Sequence, residues 1–369
     1  MPTDPRARDL LDLPGETGPA NAITDVPGVT VGVETLVRGT DVRTGVTAIL
    51  PRGRDGVGEP CAAGWYSLNG NGELTGTTWI EESGALTMPV TLSNTHAVGA
   101  CHTGVVAWVN EVHPRLAAQW LLPVCGETWD GYLNDINGDH VRPEHARAAL
   151  DAATSGPVPE GSVGGGTGMN CYAFKGGTGT SSRRVRFGGT SYTVGVLVQA
   201  NFGSREELVV RGTPLGRTLR EDNPMEDTTW FERDLVPAGA GSVIVVVATD
   251  APLLPHQCKA LARRVPLGLA RTGTAGGHFS GDIFLAFSTA PAPGLRSQLA
   301  PVPTELADQQ LVPWGAIDPF YTAVVEAVEE SVLNALVVNR EMVGRDGHRS
   351  PALPHSALRA VPAARNPRN

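Results

Sequence analysis

The junction between Gly241 and Ser242 is where the 369-residue chain carries atoms suited to covalent chemistry. Ser242 opens the run SVIVVVAT (242–249), whose β-branched residues have the profile of a buried strand. Residues 205–241, ahead of it, are polar, charged and interrupted by prolines, and read as an exposed linker. Cutting the Gly241–Ser242 bond would give Ser242 a free α-amine beside its own hydroxyl. An α-amine has a pKa of about 7.7–8.0, against about 10.4 for lysine, so roughly a tenth of it is neutral at pH 7 and can take the hydroxyl proton. The cut can be intramolecular: the hydroxyl attacks the preceding carbonyl, an ester forms, and water hydrolyses it. Glycine at 241 offers no side chain to obstruct that attack and tolerates strained backbone. Gly-Ser is a common pair, so the junction alone leaves an ordinary loop-to-strand transition open. Ser280 and Asp282, in HFSGD, could join such a centre, but the same residues make ordinary turns.

Other chemistries lack their patterns. The glycine-dense run at 161–182 superficially resembles a nucleotide loop. A phosphate loop needs its lysine after the last glycine, and here Lys175 precedes the second cluster. No strand leads directly into Gly164, as a dinucleotide site requires. These glycines read as close backbone packing or as the wall of a cleft. Lys175 and Lys259 are the only lysines, so a Schiff base has just two candidates. Nine histidines form no H-E-x-x-H pair and no run with three ligands, so neither metal nor cofactor is expected. No G-x-S-x-G elbow occurs. Cys61, Cys101, Cys125, Cys171 and Cys258 are odd in number and include no C-x-x-C, which suits buried free thiols in a reducing cytoplasm. A net charge of −9 gives no nucleic-acid footprint. No run of about 18 apolar residues exists to span a membrane, and the first twenty residues lack a signal peptide's apolar core.

The elements that would position this chemistry follow from pattern. Strands are expected at 46–50, 88–93, 104–109, 193–200, 242–249 and 283–288. Helices are expected at 142–153, 255–265 and 318–340, the last with Asp318 as N-cap and Pro319 in its first turn. Val324, Val325, Val328, Val332, Leu336 and Val337 line one face of that helix. Turn signals fall at Asn69-Gly70 and Asn71-Gly72, and the tail from Ser350 reads as loosely ordered. Strands and helices do not alternate strictly, which argues against an eight-fold βα barrel. Residues 1–369 read as one domain of sheets covered by helices.

Six strings in order turn these expectations into a resemblance: SLNGNGELTG (67–76), ETWDGYLNDING (127–138), GSVGGGTGMNCYAFKGGTGTSSR (161–183), VLVQANFG (196–203), GSVIVVVATDAPLLPHQ (241–257) and SGDIFLAFST (280–289). Over nearly its whole length the chain resembles the L-aminopeptidase D-amidase/D-esterase and β-aminopeptidase family. The resemblance implies an αββα sandwich similar to N-terminal nucleophile hydrolases, with its own connectivity. It implies self-cleavage before Ser242 into an α chain (1–241) and a β chain (242–369) that stay associated, commonly as a homotetramer of αβ units. Ser242 would form the acyl-enzyme. Ser280 and Asp282 would orient the amine, although some relatives carry glutamate at the second position. Asn201 would stabilise the oxyanion, and Glu127 would hold the substrate ammonium. Trp129, a substrate-binding position, stands where some relatives have tyrosine, so the acyl pocket or a second oxyanion donor would differ here. Substrates would be short peptides, amino-acid amides or esters. An uncleaved, inactive scaffold or small-molecule binding protein of this fold is the alternative, followed by an acyltransferase similar to ornithine acetyltransferase, which uses threonine instead.

Overall fold

The computed structural model describes residues 5–226, 241–297 and 304–362. One sheet has four strands in the order β1 (Thr30–Arg38), β2 (Val42–Leu50), β5 (Val90–Asn94) and β6 (Val124–Thr128). The other has six, in the order β4 (Ala85–Leu86), β3 (Cys61–Ser67), β12 (Gly281–Ser288), β11 (Ser242–Thr249), β10 (Thr190–Asn201) and β9 (Gly177–Phe187). Strands β7 (Asn170–Cys171) and β8 (Phe174–Lys175) form a small separate hairpin.

Residue alternation shows why the central strands are apolar throughout. In β11, Val243, Val245 and Val247 join a core beneath one helical layer, while Ile244, Val246 and Ala248 join a second core facing the other sheet. Phe284 and Ala286 of β12 point one way, and Ile283, Leu285 and Phe287 the other. A strand covered on both faces reads as one apolar run. Helices α5 (Pro255–Ala262), α6 (Val265–Ala270) and α7 (Asp318–Val337) cover the outer face of the six-stranded sheet. Helices α3 (Val98–Val112) and α4 (Pro143–Asp151) cover the four-stranded sheet. Two short helices, α1 (Ala7–Leu10) and α2 (Thr77–Ser83), complete the labels used here. The layers run helix, sheet, sheet, helix, which is the expected αββα sandwich.

Four local expectations are corrected. Residues 104–109 are not a strand; they lie inside α3. Gly104, Val105, Trp108 and Val109 are its buried face, and their spacing of one, three and one is helical. A Cβ on Gly104 would stand 2.4 Å from the Pro143 carbonyl, so that glycine lets α3 and α4 meet. β-Branched propensity pointed to a strand, and tertiary packing overrode it. The proposed exposed linker at 205–241 is, in its first part, no linker. Arg205, Leu208, Val210 and Leu215 are buried, and the Arg205 guanidinium donates to the carbonyls of Tyr172, Ala173 and Leu219. Buried arginine and spaced aliphatics in a charged segment were mistaken for solvated chain; residues 227–240 lie outside the described residues. Asp318 is not the N-cap of α7, since Ile317 holds that place and Asp318 sits in the first turn. The tail from Ser350 to residue 362 packs on the core through Leu353 and Leu358, the latter in a short helix, His355–Arg359; residues 363–369 lie outside the described residues.

Candidate active site

Ser242 is the first residue of β11, and strand register fixes its neighbours. It lies opposite Asn201, the last residue of β10, and beside Gly281, the first residue of β12. All three sit at one end of the sheet, and Ser242 is only 3% exposed. The Gly281 N–H donates to Ser242 Oγ at 3.2 Å. A Cβ on Gly241 would fall 2.2 Å from the Asn201 carbonyl oxygen, so no larger residue fits there without moving β10.

Ser280 and Asp282 flank Gly281. Ser280 Oγ donates to Asp282 Oδ1 at 2.5 Å. The other carboxylate oxygen, Oδ2, accepts from Asn69 Nδ2 at 3.1 Å, and Asn69 Oδ1 accepts from the Asp282 N–H at 2.6 Å. Burial pushes the Asp282 carboxyl above its ordinary value, and the bonds from Ser280 and Asn69 oppose that rise. Two carboxylate oxygens are thus bracketed by a hydroxyl and an amide, which leaves the hydroxyl placed next to the nucleophile's strand end.

Asn201 is held from both ends. Its Oδ1 accepts from the Asn170 N–H at 2.8 Å, and its Nδ2 donates to the Trp129 carbonyl at 2.8 Å. An amide nitrogen carries two hydrogens, so one remains for a substrate oxygen. Trp129 therefore reaches the centre through its carbonyl; its indole is half-buried and lies over Gly131.

Glu127 comes from the other sheet, on β6, and is buried. Its Oε1 accepts from the Glu73 N–H at 2.9 Å, and Oε2 accepts from the Thr95 hydroxyl. Burial raises its pKa, and those hydrogen bonds resist the rise. Gly72 joins Glu127 to the Ser242 end of the six-stranded sheet. A Cβ there would meet Gly281 Cα at 2.9 Å and Glu127 Oε1 at 3.1 Å. The structure therefore gathers Ser242, Asn201, Ser280, Asp282 and Glu127 from both sheets, with Trp129 joined to them through its carbonyl.

Asn69 was missed. It entered only as a turn signal, yet it binds Asp282 through side chain in both directions. The paired Asn-Gly dipeptides were the signal; their proximity to β12 was not visible in one dimension. The glycines at 164–166 prove to be packing residues more than cleft wall: a Cβ on Gly165 would lie 2.5 Å from the Leu92 carbonyl, and one on Gly166 2.3 Å from the Thr178 nitrogen. Among the described residues no group of three His, Cys, Asp or Glu is arranged to hold a metal, and no helix is long and apolar enough to cross a membrane.

A serine heading a buried central strand of an αββα sandwich, with an amide donor and an acid-bound hydroxyl beside it, defines a hydrolase of the N-terminal nucleophile type. The chain belongs to peptidase family S58, whose model matches residues 21–350. It is similar to the β-peptidyl aminopeptidase BapA of Sphingosinicella microcystinivorans, at 47% identity over 97% of this chain and 91% of that protein. The corresponding enzyme of Sphingosinicella xenopeptidilytica is 42% identical over 99% of this chain and 92% of that one. Among solved structures, the L-aminopeptidase D-Ala-esterase/amidase of Ochrobactrum anthropi, a prototype serine aminopeptidase with a variant N-terminal nucleophile hydrolase fold, superposes with a TM-score of 0.88. That match has 45% identity and covers 96% of this chain and 97% of that one. A Burkholderia β-aminopeptidase superposes with a TM-score of 0.85, also at 45% identity and with the same coverage. The chain is accordingly a serine aminopeptidase acting on peptide or amide bonds. Membership of a peptidase family sets the acyltransferase alternative aside.

Proposed function

We propose that the chain cuts itself between Gly241 and Ser242, and that the freed Ser242 then releases N-terminal residues from short peptides, amino-acid amides or esters. The observation that carries this reading is the placement of Ser242 Oγ, 3.2 Å from the Gly281 N–H, between Asn201 and the Ser280–Asp282 pair. Ser242 Oγ attacks the scissile carbonyl and its α-amine takes the proton. The spare Nδ2–H of Asn201 binds the oxyanion, the amine returns the proton to the leaving group, and water frees the acyl-enzyme. Ser280, held by Asp282, orients the amine. The α and β chains stay together because β11 is hydrogen-bonded along both edges, to β10 and β12. A homotetramer of αβ units is the assembly the resemblance adds. Five buried free cysteines support a reducing, cytoplasmic setting.

Glu127 holds the substrate ammonium on this reading. Its carboxylate already has two donors, so an ammonium would complete its shell and offset the cost of its burial. Because two relatives are named β-peptidyl aminopeptidases, N-terminal β-amino acids belong in the substrate panel. We expect Glu127→Gln to raise KM for free-amine peptides about tenfold or more, the worth of a charged hydrogen bond. Esters lacking an amine would change little. Equal effects on both would remove Glu127 from this role, and wild-type cleavage of N-acetylated peptides at the free-amine rate would overturn the aminopeptidase reading.

Asn69→Ala would take one donor from the Asp282 carboxylate. Losing a bond to the charged form raises the carboxyl's pKa further. The acid limb of the kcat–pH profile is therefore expected to move to higher pH, with kcat on the plateau nearly intact. A profile identical to wild type would show that Asp282 does not titrate in the rate.

A further inference from the structure

Lys175 is fully buried, and the reaction as described gives it no part. Its Nζ donates to the Met169 carbonyl at 2.6 Å and to the Gly176 carbonyl at 2.8 Å. The Met169 carbonyl also accepts the Gly176 N–H at 3.0 Å. That carbonyl belongs to the same peptide unit as the Asn170 N–H, which donates to Asn201 Oδ1. In a trans peptide the C=O and N–H point in opposite directions. The atoms therefore run head to tail: Lys175 Nζ, the Met169–Asn170 amide, the Asn201 amide, then the spare Nδ2–H.

We propose that Lys175 is a positioning residue that polarises this two-amide relay and so strengthens the Asn201 Nδ2–H as a donor to the oxyanion. The inference rests on the reading of Asn201 as the oxyanion donor. A donor to the carbonyl of an amide makes its N–H a better donor, and the effect passes along a chain of such bonds. A charged donor strengthens it further. Lys175, Met169, Asn170 and Asn201 are all buried, so water does not compete for these bonds. The lysine's end of the relay is tied down. Asn339 Nδ2 grips the carbonyls of Lys175 and Gly176, and Gly176 packs so closely on β10 that a Cβ would lie 2.5 Å from the Ala200 carbonyl. Burial pushes the Lys175 ammonium down to about 7, and the Asp130 carboxyl and Cys171 thiol facing it pull the other way. One oxygen of Asp130 accepts from Asn134 Nδ2, while the other has no hydrogen-bond partner among the described residues. A lysine that served only to fill a cavity would need no such line of donors ending on Asn201.

A double-mutant cycle between Lys175→Met and Asn201→Ala, read as kcat and KM on one amide substrate, tests the relay. Lys175→Met is expected to lower kcat about three- to tenfold with KM nearly unchanged, and to cost less than about twofold once Asn201 is alanine. Lys175→Arg, which keeps the charge, would recover part of the loss. If both single variants are slow and their effects multiply, the relay is overturned while the oxyanion reading stands. If Asn201→Ala alone turns over at the wild-type rate, the oxyanion reading falls and the relay with it. Wild-type kcat in Lys175→Met overturns the relay alone. Should Lys175→Met not yield folded protein, Lys175→Gln, which keeps two N–H donors without the charge, runs the same cycle.

Discussion

Ser242→Ala is expected to remain one uncut polypeptide of 38.6 kDa by denatured intact mass, and to hydrolyse nothing above background. The wild type is expected as two chains, residues 1–241 and 242–369. The substitution removes a single oxygen. It leaves β11 paired with β10 and β12 along its length and costs only the acceptor of the Gly281 N–H, so the fold is retained. What disappears is the only hydroxyl at the head of that strand, and with it both the attack on the Gly241 carbonyl and the attack on substrate. Loss of a nucleophile costs on the order of 10⁶-fold in kcat in serine hydrolases. Two chains in the Ser242→Ala variant would mean another protease makes the cut. One chain in both proteins would mean the amine is never freed, and the alternative of an uncleaved scaffold would then describe this chain.

Asn201→Ala carries the second large effect. Removing one preorganised oxyanion donor costs about 3–4 kcal/mol in the barrier, a fall of about 10²–10³ in kcat with KM little changed. The truncation also strands the Asn170 N–H and the Trp129 carbonyl, both of which Asn201 satisfies. Each orphan costs about 1–3 kcal/mol of stability, so melting must be followed beside turnover. Asn201→Asp keeps the shape of the side chain and tests the donor alone. Its carboxylate still accepts the Asn170 N–H but has no N–H for the oxyanion, and its charge repels the developing negative oxygen. We expect turnover to fall at least as far as in Asn201→Ala, and stability to fall as well, because a buried carboxylate oxygen would face the Trp129 carbonyl. Wild-type turnover in either variant would remove Asn201 from the oxyanion hole.

Local chemistry made much of the fold legible. The run at 242–249 is apolar at every position because β11 is covered on both faces, and such a run needs no partner to be recognised. The apolar stripe from Val324 to Val337 repeats at helical spacing and lies buried in α7. Residues 104–109 misled because valine and tryptophan favour strands locally, whereas their buried face packs as a helix beside α4 on the four-stranded sheet. Residues 205–226 misled because charge suggests solvent, while Arg205 is in fact buried against backbone carbonyls.

By itself the sequence marked Ser242 as a candidate nucleophile, with its glycine neighbour and the buried strand it opens, since strand burial is written in adjacent residues. It also marked Ser280 and Asp282, two positions apart. The tertiary structure alone decided what surrounds them. Register places Asn201 across from Ser242, sheet stacking brings Glu127 from a different sheet past Gly72, and the β3–β12 pairing sets Asn69 on Asp282. The chain around Asn170 lays Lys175 behind Asn201. Those contacts join residues tens to hundreds of positions apart. Their energies depend on distances of about 3 Å and on exclusion of water. Neither quantity exists until the two sheets have closed on each other.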